Sequence, residues 1–216
     1  MDSKRFGTIV IDCDGVLVNH CQGVLSKMNE LQQELSQESQ FQECLIHQYF
    51  NHYYSLSDTL DENGFCASHC FTYQKVMSNI KIKTTWKKTF QFGRTIRTWP
   101  IYEDAYGALQ YFKKFFRIYI RCDRDPEDIP YLINNLGIEA ADIIIRNHHN
   151  NGLISALDKK GEDIQHCLLL TTPRLAKLTN FPNVQVIRRA TIFSHNDTNQ
   201  RSLACLVFDH QTQLRN

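Results

Sequence analysis

The sequence predicts an α/β protein, a doubly wound parallel sheet with a helical unit inserted after the first strand. Three observations predict it. Residues 8–11, Thr-Ile-Val-Ile, form a β-branched apolar run without polar alternation, as expected of a strand covered on both faces. Helical spacing then takes over from Val24 to Tyr53 and again from Phe65 to Met77. Beyond Trp99-Pro100 helical and strand patterns alternate, the signature of right-handed crossovers in a parallel sheet.

Taken in order, the first strand ends at Asp12, followed by Cys13, Asp14 and Gly15. The carboxyl end of a strand in an open α/β sheet opens on the ligand crevice, and a glycine there permits a sharp backbone departure. The two acids are therefore expected to face a pocket. An EF-hand loop does not account for them, because the glycine follows directly on the second Asp and Gly23 holds the twelfth position, where a glutamate is needed. Val24, Met28, Leu31 and Leu35 mark one amphipathic helix, and Phe41, Leu45, Tyr49 and Tyr53 a second. The turn-rich SLSDTLDENG separates these from a helix over 65–78, and a basic, aromatic segment runs from Lys81 to Trp99. Asp104–Phe115 reads as a helix with Ala105, Ala108, Leu109 and Phe112 inward, and Phe116–Ile120 as the next strand. Asp125-Pro126-Glu127 is expected to start a helix, with Asp as cap and Pro in its first turn, and Gly137 to end it. Apolar strands follow at 143–145, 167–170 and 184–187, and LVFDH, ending near Asp209, reads as one more. This gives a core over residues 1–19 and 96–216 and a helical cap over 20–95.

Composition excludes several classes. The 216 residues carry 24 Lys plus Arg against 23 Asp plus Glu, so the net charge of +1 offers no general attraction to nucleic acid or an anionic membrane. The start, MDSKRFGTIV, has no apolar h-region, and there is no apolar run of membrane-spanning length, which suggests a cytoplasmic location. The eight cysteines are scattered and are expected to be reduced thiols. Cys66, His69 and Cys70 could bind zinc, but their spacing also places them on helical periods with Phe65, Tyr73, Val76 and Met77. Asn196-Asp197-Thr198 matches a glycosylation sequon, which carries no meaning without a secretory signal.

Asp12-Cys13-Asp14-Gly15-Val16-Leu17-Val18, after its apolar strand, resembles the first motif of the haloacid dehalogenase superfamily, D-x-D-G-x-[LV]-[LV]. The second Asp is the mark of its phosphatase branch, since the dehalogenases themselves lack it. The resemblance implies a Rossmann-like core with an inserted cap. It further implies Asp12 as nucleophile on phosphorus, Asp14 as general acid and base, and Mg²⁺ joining Asp12 to a small phosphorylated substrate.

The later motifs depart from the family pattern. Where it places a Ser or Thr after the second strand, this chain has Cys122, so Arg121 or Arg124 is a candidate to hold phosphate instead. Residues 155–173 resemble the region that carries the family's lysine and second acidic pair, but Ser155 stands at the lysine and Leu170-Thr171-Thr172 at the acids. Lys159 or Lys160 could supply the cation, and Asp123, Asp125 or Asp158 a metal ligand. The expected site is thus Asp12 and Asp14 for catalysis, Arg121, Cys122, Lys159 and Lys160 for phosphate, and Asp12, Asp14 and Asp123 for Mg²⁺. Two functions follow: a Mg²⁺-dependent phosphate-monoester hydrolase, or a binding or regulatory protein that keeps the fold and has lost turnover.

Overall fold

The computed structural model describes residues 5–57, 64–145, 152–189 and 201–215. Its centre is a five-stranded, all-parallel sheet in the order β3-β2-β1-β4-β5, formed by β1 (Thr8–Asp12), β2 (Arg117–Cys122), β3 (Ile143–Ile145), β4 (Cys167–Thr171) and β5 (Val184–Val186). The doubly wound architecture is therefore as expected. β1 lies in the middle, and all five of its residues are buried, which is why it reads as a continuous apolar run. Its side chains alternate between two cores. Ile9 and Ile11 join the larger cluster with Ile118, Ile120, Leu168 and Leu170, whereas Val10 joins Tyr119, Leu157 and Leu169 on the other face.

After β1, the described residues of the insertion form α1 (His20–Leu31), α2 (Ser39–Ser57), α3 (Phe65–Asn79) and α4 (Trp86–Arg94). They pack on one another through Met28, Leu45, Tyr49, Tyr73, Met77 and Phe92, all fully buried. The first helix stops before Leu35, which the spacing places on it. Gln32 closes it, with its backbone N–H donating to the Met28 carbonyl. Its side chain turns inward to donate to the Tyr73 hydroxyl at 2.9 Å and accept from Lys88 Nζ at 2.9 Å. A buried amide with both ends satisfied fixes where this helix ends. Leu35 is still buried, reached by the turn beyond it.

The remaining helices are α5 (Ala105–Phe112), α6 (Ile129–Leu136), α7 (Gly152–Lys159), α8 (Pro173–Ala176) and α9 (Leu203–Arg215). α5 buries the four residues expected of it. Gly137 ends α6 in the left-handed region at φ +60°. Among the described residues no helix is long and apolar enough to cross a membrane.

Two local expectations are corrected. Asp125 does not cap the helix that follows it: α6 begins at Ile129 after Asp128, with Pro130 in its first turn. Asp125 instead reaches sixty residues back, accepting from the backbone N–H of Phe65 and of Cys66 at 2.8 Å each, and caps α3. The LVFDH segment is no strand but lies inside α9, with Leu206 and His210 buried and Asp209 paired outward to Arg201 at 2.9 Å. A short apolar run fits a buried helix as well as a strand, and helical context decides it here. The Asn196 sequon and much of SLSDTLDENG lie outside the described residues.

Asp125 thus joins the cap helices to the loop after β2. Asp125→Ala is expected to lower stability by about 1–2 kcal/mol, the usual worth of a helix N-cap, as measured by urea denaturation.

Candidate functional site

The register of the sheet builds the site. Asp12 pairs directly with Arg121 on β2, and because Ile11 pairs with Leu170, Asp12 lies level with Thr171 on β4. Residues paired across a parallel sheet point to the same face a strand spacing apart. Three strand ends therefore bring Arg121, Asp12 and Thr171 into one row. Arg121 Nε donates to Asp12 Oδ1 at 2.5 Å and its Nη2 to Oδ2 at 2.8 Å. The Thr171 hydroxyl also donates to Oδ2. Asp12 is 3% exposed and Arg121 9%. Burial disfavours the guanidinium charge, but the Asp12 carboxylate overrides it and holds the Arg121 pKa above its ordinary value.

Asp14 has its own arginine. Arg124 Nη2 donates to Asp14 Oδ1 at 2.5 Å, and Nη1 donates to the Ile96 carbonyl at 2.8 Å. The Arg124 guanidinium lies 5.0 Å from the Phe65 ring and 5.2 Å from the Trp99 ring. The backbone turns sharply between strand and helix at Gly15, whose φ is +84° and where a Cβ would come within 2.8 Å of both Thr172 and His20. Unlike Asp12, the Asp14 side chain is 22% exposed, and it opens on a cleft of about 230 Å³.

The cleft lies between the strand tips and the helical insertion. Phe50, Tyr53, Tyr54, Phe65 and Trp99 supply its rings, while Asp14, Asp123 and Arg174 supply its charges. Arg174 stacks over Tyr54, its guanidinium carbon 3.6 Å from the ring centroid. His20 and His69 also line it. His20 packs on Phe50 at 4.5 Å, and burial, outweighing the nearby Asp14, pulls its pKa down to about 4. His69 stacks on Tyr53 at 4.2 Å, and burial again holds its pKa well below the usual range. Both imidazoles are therefore neutral near pH 7.

The residues expected at the site separate into two groups. Asp12, Asp14 and Arg121 lie together, and Asp123 lines the cleft. Cys122 does not join them. One residue along β2 from Arg121, it turns to the opposite face of the sheet, into the larger core with Cys13, and burial pushes its thiol up to about 12. Lys160 is also elsewhere: its Nζ donates to the Ala141 carbonyl and sits over the Tyr119 ring. The Lys159-Lys160 turn leads into Glu162, which bonds Thr8 and Arg117 at the amino ends of the strands, away from Asp12. On α3, Cys66 and Cys70 face Gly93, whereas His69 Nδ1 meets the Tyr49 hydroxyl at 2.5 Å. Among the described residues no group of three or more His, Cys, Asp or Glu side chains is placed to hold a metal ion.

The donor set argues the same way for Mg²⁺. This ion needs unencumbered carboxylate oxygens, yet those of Asp12 already accept from a guanidinium and a hydroxyl, and Asp14 carries a second guanidinium. As arranged, these residues do not fit a resident Mg²⁺. Thr171, His20, Trp99 and Arg174 were not legible as site residues, and the spacing around His69 suggested only a zinc ligand or a helix face. Thr171 stands where the family pattern has an acid, and its bond to Asp12 becomes visible only through the strand register.

No protein-family model matches the sequence, and no curated protein is recognisably similar to it. Solved structures are similar in fold. An L-2-haloacid dehalogenase from Xanthobacter autotrophicus superposes with a TM-score of 0.71 at 12% identity, over 96% of this chain and 99% of that one. A defluorinating L-2-haloacid dehalogenase gives a TM-score of 0.72 at 13% identity, over 98% and 96% of the two chains. The HAD protein YfnB of Bacillus subtilis, solved bound to magnesium, gives 0.65 at 11% identity, over 85% and 89%. The chain therefore has the haloacid dehalogenase-type fold.

Two predictions follow from the buried groups. Asp12→Leu and Arg121→Met should each cost about 3–5 kcal/mol, because each strands the opposite charge in the interior. In urea unfolding, the double variant should fall short of the summed losses by about 1–3 kcal/mol, which is the coupling of the pair. The second concerns pH. Burial brings His20 down to about 4 in the folded chain against an ordinary 6.5, so between those values the unfolded chain binds a proton that the folded chain does not. Stability should rise with pH across that window. His20→Phe, which keeps a ring against Phe50, should reduce the slope of melting temperature against pH.

Proposed function

We propose that this chain is a catalytically silent binding protein on the haloacid dehalogenase-type fold, with the cleft between strand tips and cap helices as its ligand site. The observation that carries the reading is the clamp on Asp12. A nucleophilic carboxylate must present an oxygen lone pair to the reacting atom. Here Arg121 takes one bond to each oxygen, Thr171 takes another, and Asp12 is not among the residues lining the cleft. Attack by Asp12 would first require a buried bidentate ion pair to open. The pair has a role without catalysis, because each charge is what makes burial of the other tolerable.

A second reading rests on Asp14. Its carboxylate does reach the cleft, one residue beyond a strand-end acid, which favours a hydrolase in which Asp12 attacks a small phosphate monoester and Asp14 moves the proton. In that reading Arg121 swings off Asp12 when substrate enters. The fold relatives that are L-2-haloacid dehalogenases make a 2-haloacid the natural second substrate to try.

The deciding assay compares wild type with Asp12→Asn, checked for folding by circular dichroism. Hydrolysis of an aryl phosphate with Mg²⁺ and halide release from 2-chloropropionate are both followed. The expected result is background turnover from both proteins. An Asp12-dependent rate on either substrate would overturn the silent reading.

A further inference from the structure

The basic, aromatic segment 81–99 presents an outward face that the strand-tip site does not use. It holds six of the chain's 24 Lys and Arg residues and none of its 23 acids, so a nearly neutral protein is locally cationic. Helix α4 fixes that face. Inward it buries Thr89, Phe92 and Gly93, with Phe92 stacked on Tyr73 at 4.5 Å. This turns Trp86, Lys87, Phe90 and Arg94 to solvent. Trp86 and Phe90 lie one turn apart with ring centroids separated by 5.8 Å, and they are 54% and 58% exposed. Exposed apolar residues scattered singly are ordinary, but two large rings side by side in a cationic border form a contact surface.

The cations near the rings are free to meet a partner. Lys81, Lys83 and Lys87 are exposed, and no carboxylate of a described residue lies within ion-pair distance of them or of Arg94. Beyond Arg94 charge is answered within the protein, where Arg97 meets Asp128 at 3.7 Å, and Lys88 turns inward to the Gln32 side chain. Lys81 also holds a left-handed backbone, φ +60°, just after α3, where glycine is the unstrained occupant. A cation stands at that corner at a conformational cost.

These features select a partner that is anionic, broad and able to take in two rings at one depth. A row along the outside of a helix is convex, which suits a flat surface better than a nucleic-acid strand that needs a groove. An indole fits the boundary between lipid headgroups and acyl chains, where its ring is buried and its N–H stays wet. Lysines held within a Debye length of an anionic bilayer add electrostatic attraction to that insertion. We propose that the outer face of residues 81–94 docks on an anionic lipid bilayer, with Trp86 and Phe90 entering the headgroup region and Lys81, Lys83 and Lys87 meeting the lipid anions. This is independent of the reading of the cleft, since a silent binding protein and a hydrolase would be brought to the bilayer alike.

The test mixes full-length protein with phosphatidylcholine vesicles, either alone or carrying about one-third phosphatidylserine, and follows co-sedimentation and tryptophan emission. Binding to the anionic vesicles is expected, weakening as salt is raised. A blue shift should accompany it and vanish in Trp86→Phe, because Trp99 is buried already. The double variant Lys83→Glu/Lys87→Glu should weaken binding about tenfold or more, and Trp86→Ser/Phe90→Ser by a similar factor. All four side chains are exposed, so the circular dichroism spectrum should not change. Absence of binding to anionic vesicles, equal binding to neutral ones, or indifference to either double variant would each overturn the proposal. A single-stranded oligothymidylate and a polyglutamate peptide are titrated alongside, and tighter binding of either than of the anionic vesicles would overturn the lipid assignment.

Discussion

A buried carboxylate at the end of the central strand is the constraint around which this molecule is arranged. Asp12 sits where three parallel strands end, at 3% exposure, and the interior tolerates it because Arg121 arrives in register from one side and Thr171 from the other. Moving any of these strands by one residue would turn Arg121 or Thr171 to the opposite face and leave a charge stranded. The pair thus ties the chemistry at the tip to the register of the sheet, and through it to which side chains reach each core.

The same logic extends outward through Arg124. Its guanidinium pairs with Asp14, bonds the Ile96 carbonyl after α4, and lies over Phe65 of the insertion and Trp99 just beyond it. One side chain therefore links the strand tip to the cap helices. Asp125, next in the chain, caps α3 from the same loop. The loop after β2 is in effect the strut that sets the cleft between core and cap, and its charged composition follows from that load rather than from solvent exposure.

Much of this layout was legible because it is periodic. β1 announced itself through an unbroken apolar run, α5 through its inward positions, and α6 through Gly137. What escaped was whatever depends on a partner far along the chain. Asp-Pro-Glu after β2 has the local form of a helix start, and nothing near it reveals that Asp125 serves a helix sixty residues earlier. LVFDH has the composition of a strand and the context of a helix. Cys122, at the family's hydroxyl position, and Arg121 beside it were both candidates to meet phosphate. Which of them shares a face with Asp12 is a matter of pairing parity between strands, a relation that one strand's sequence does not contain.

The arginines also explain how an acid pair can persist without a metal between its members. A divalent ion and a guanidinium both cancel carboxylate charge, but they leave the oxygens in different states. An ion with exchangeable waters keeps room for a substrate oxygen in its coordination shell. A guanidinium spends its charge through directed N–H bonds, and on Asp12 those bonds fall on both oxygens at once. Charge balance is reached, and three of the roughly four lone-pair sites on the carboxylate are taken in reaching it. Asp14, bonded to Arg124 at a single oxygen and open to the cleft, is the member of the acid pair that stays within reach of whatever enters it.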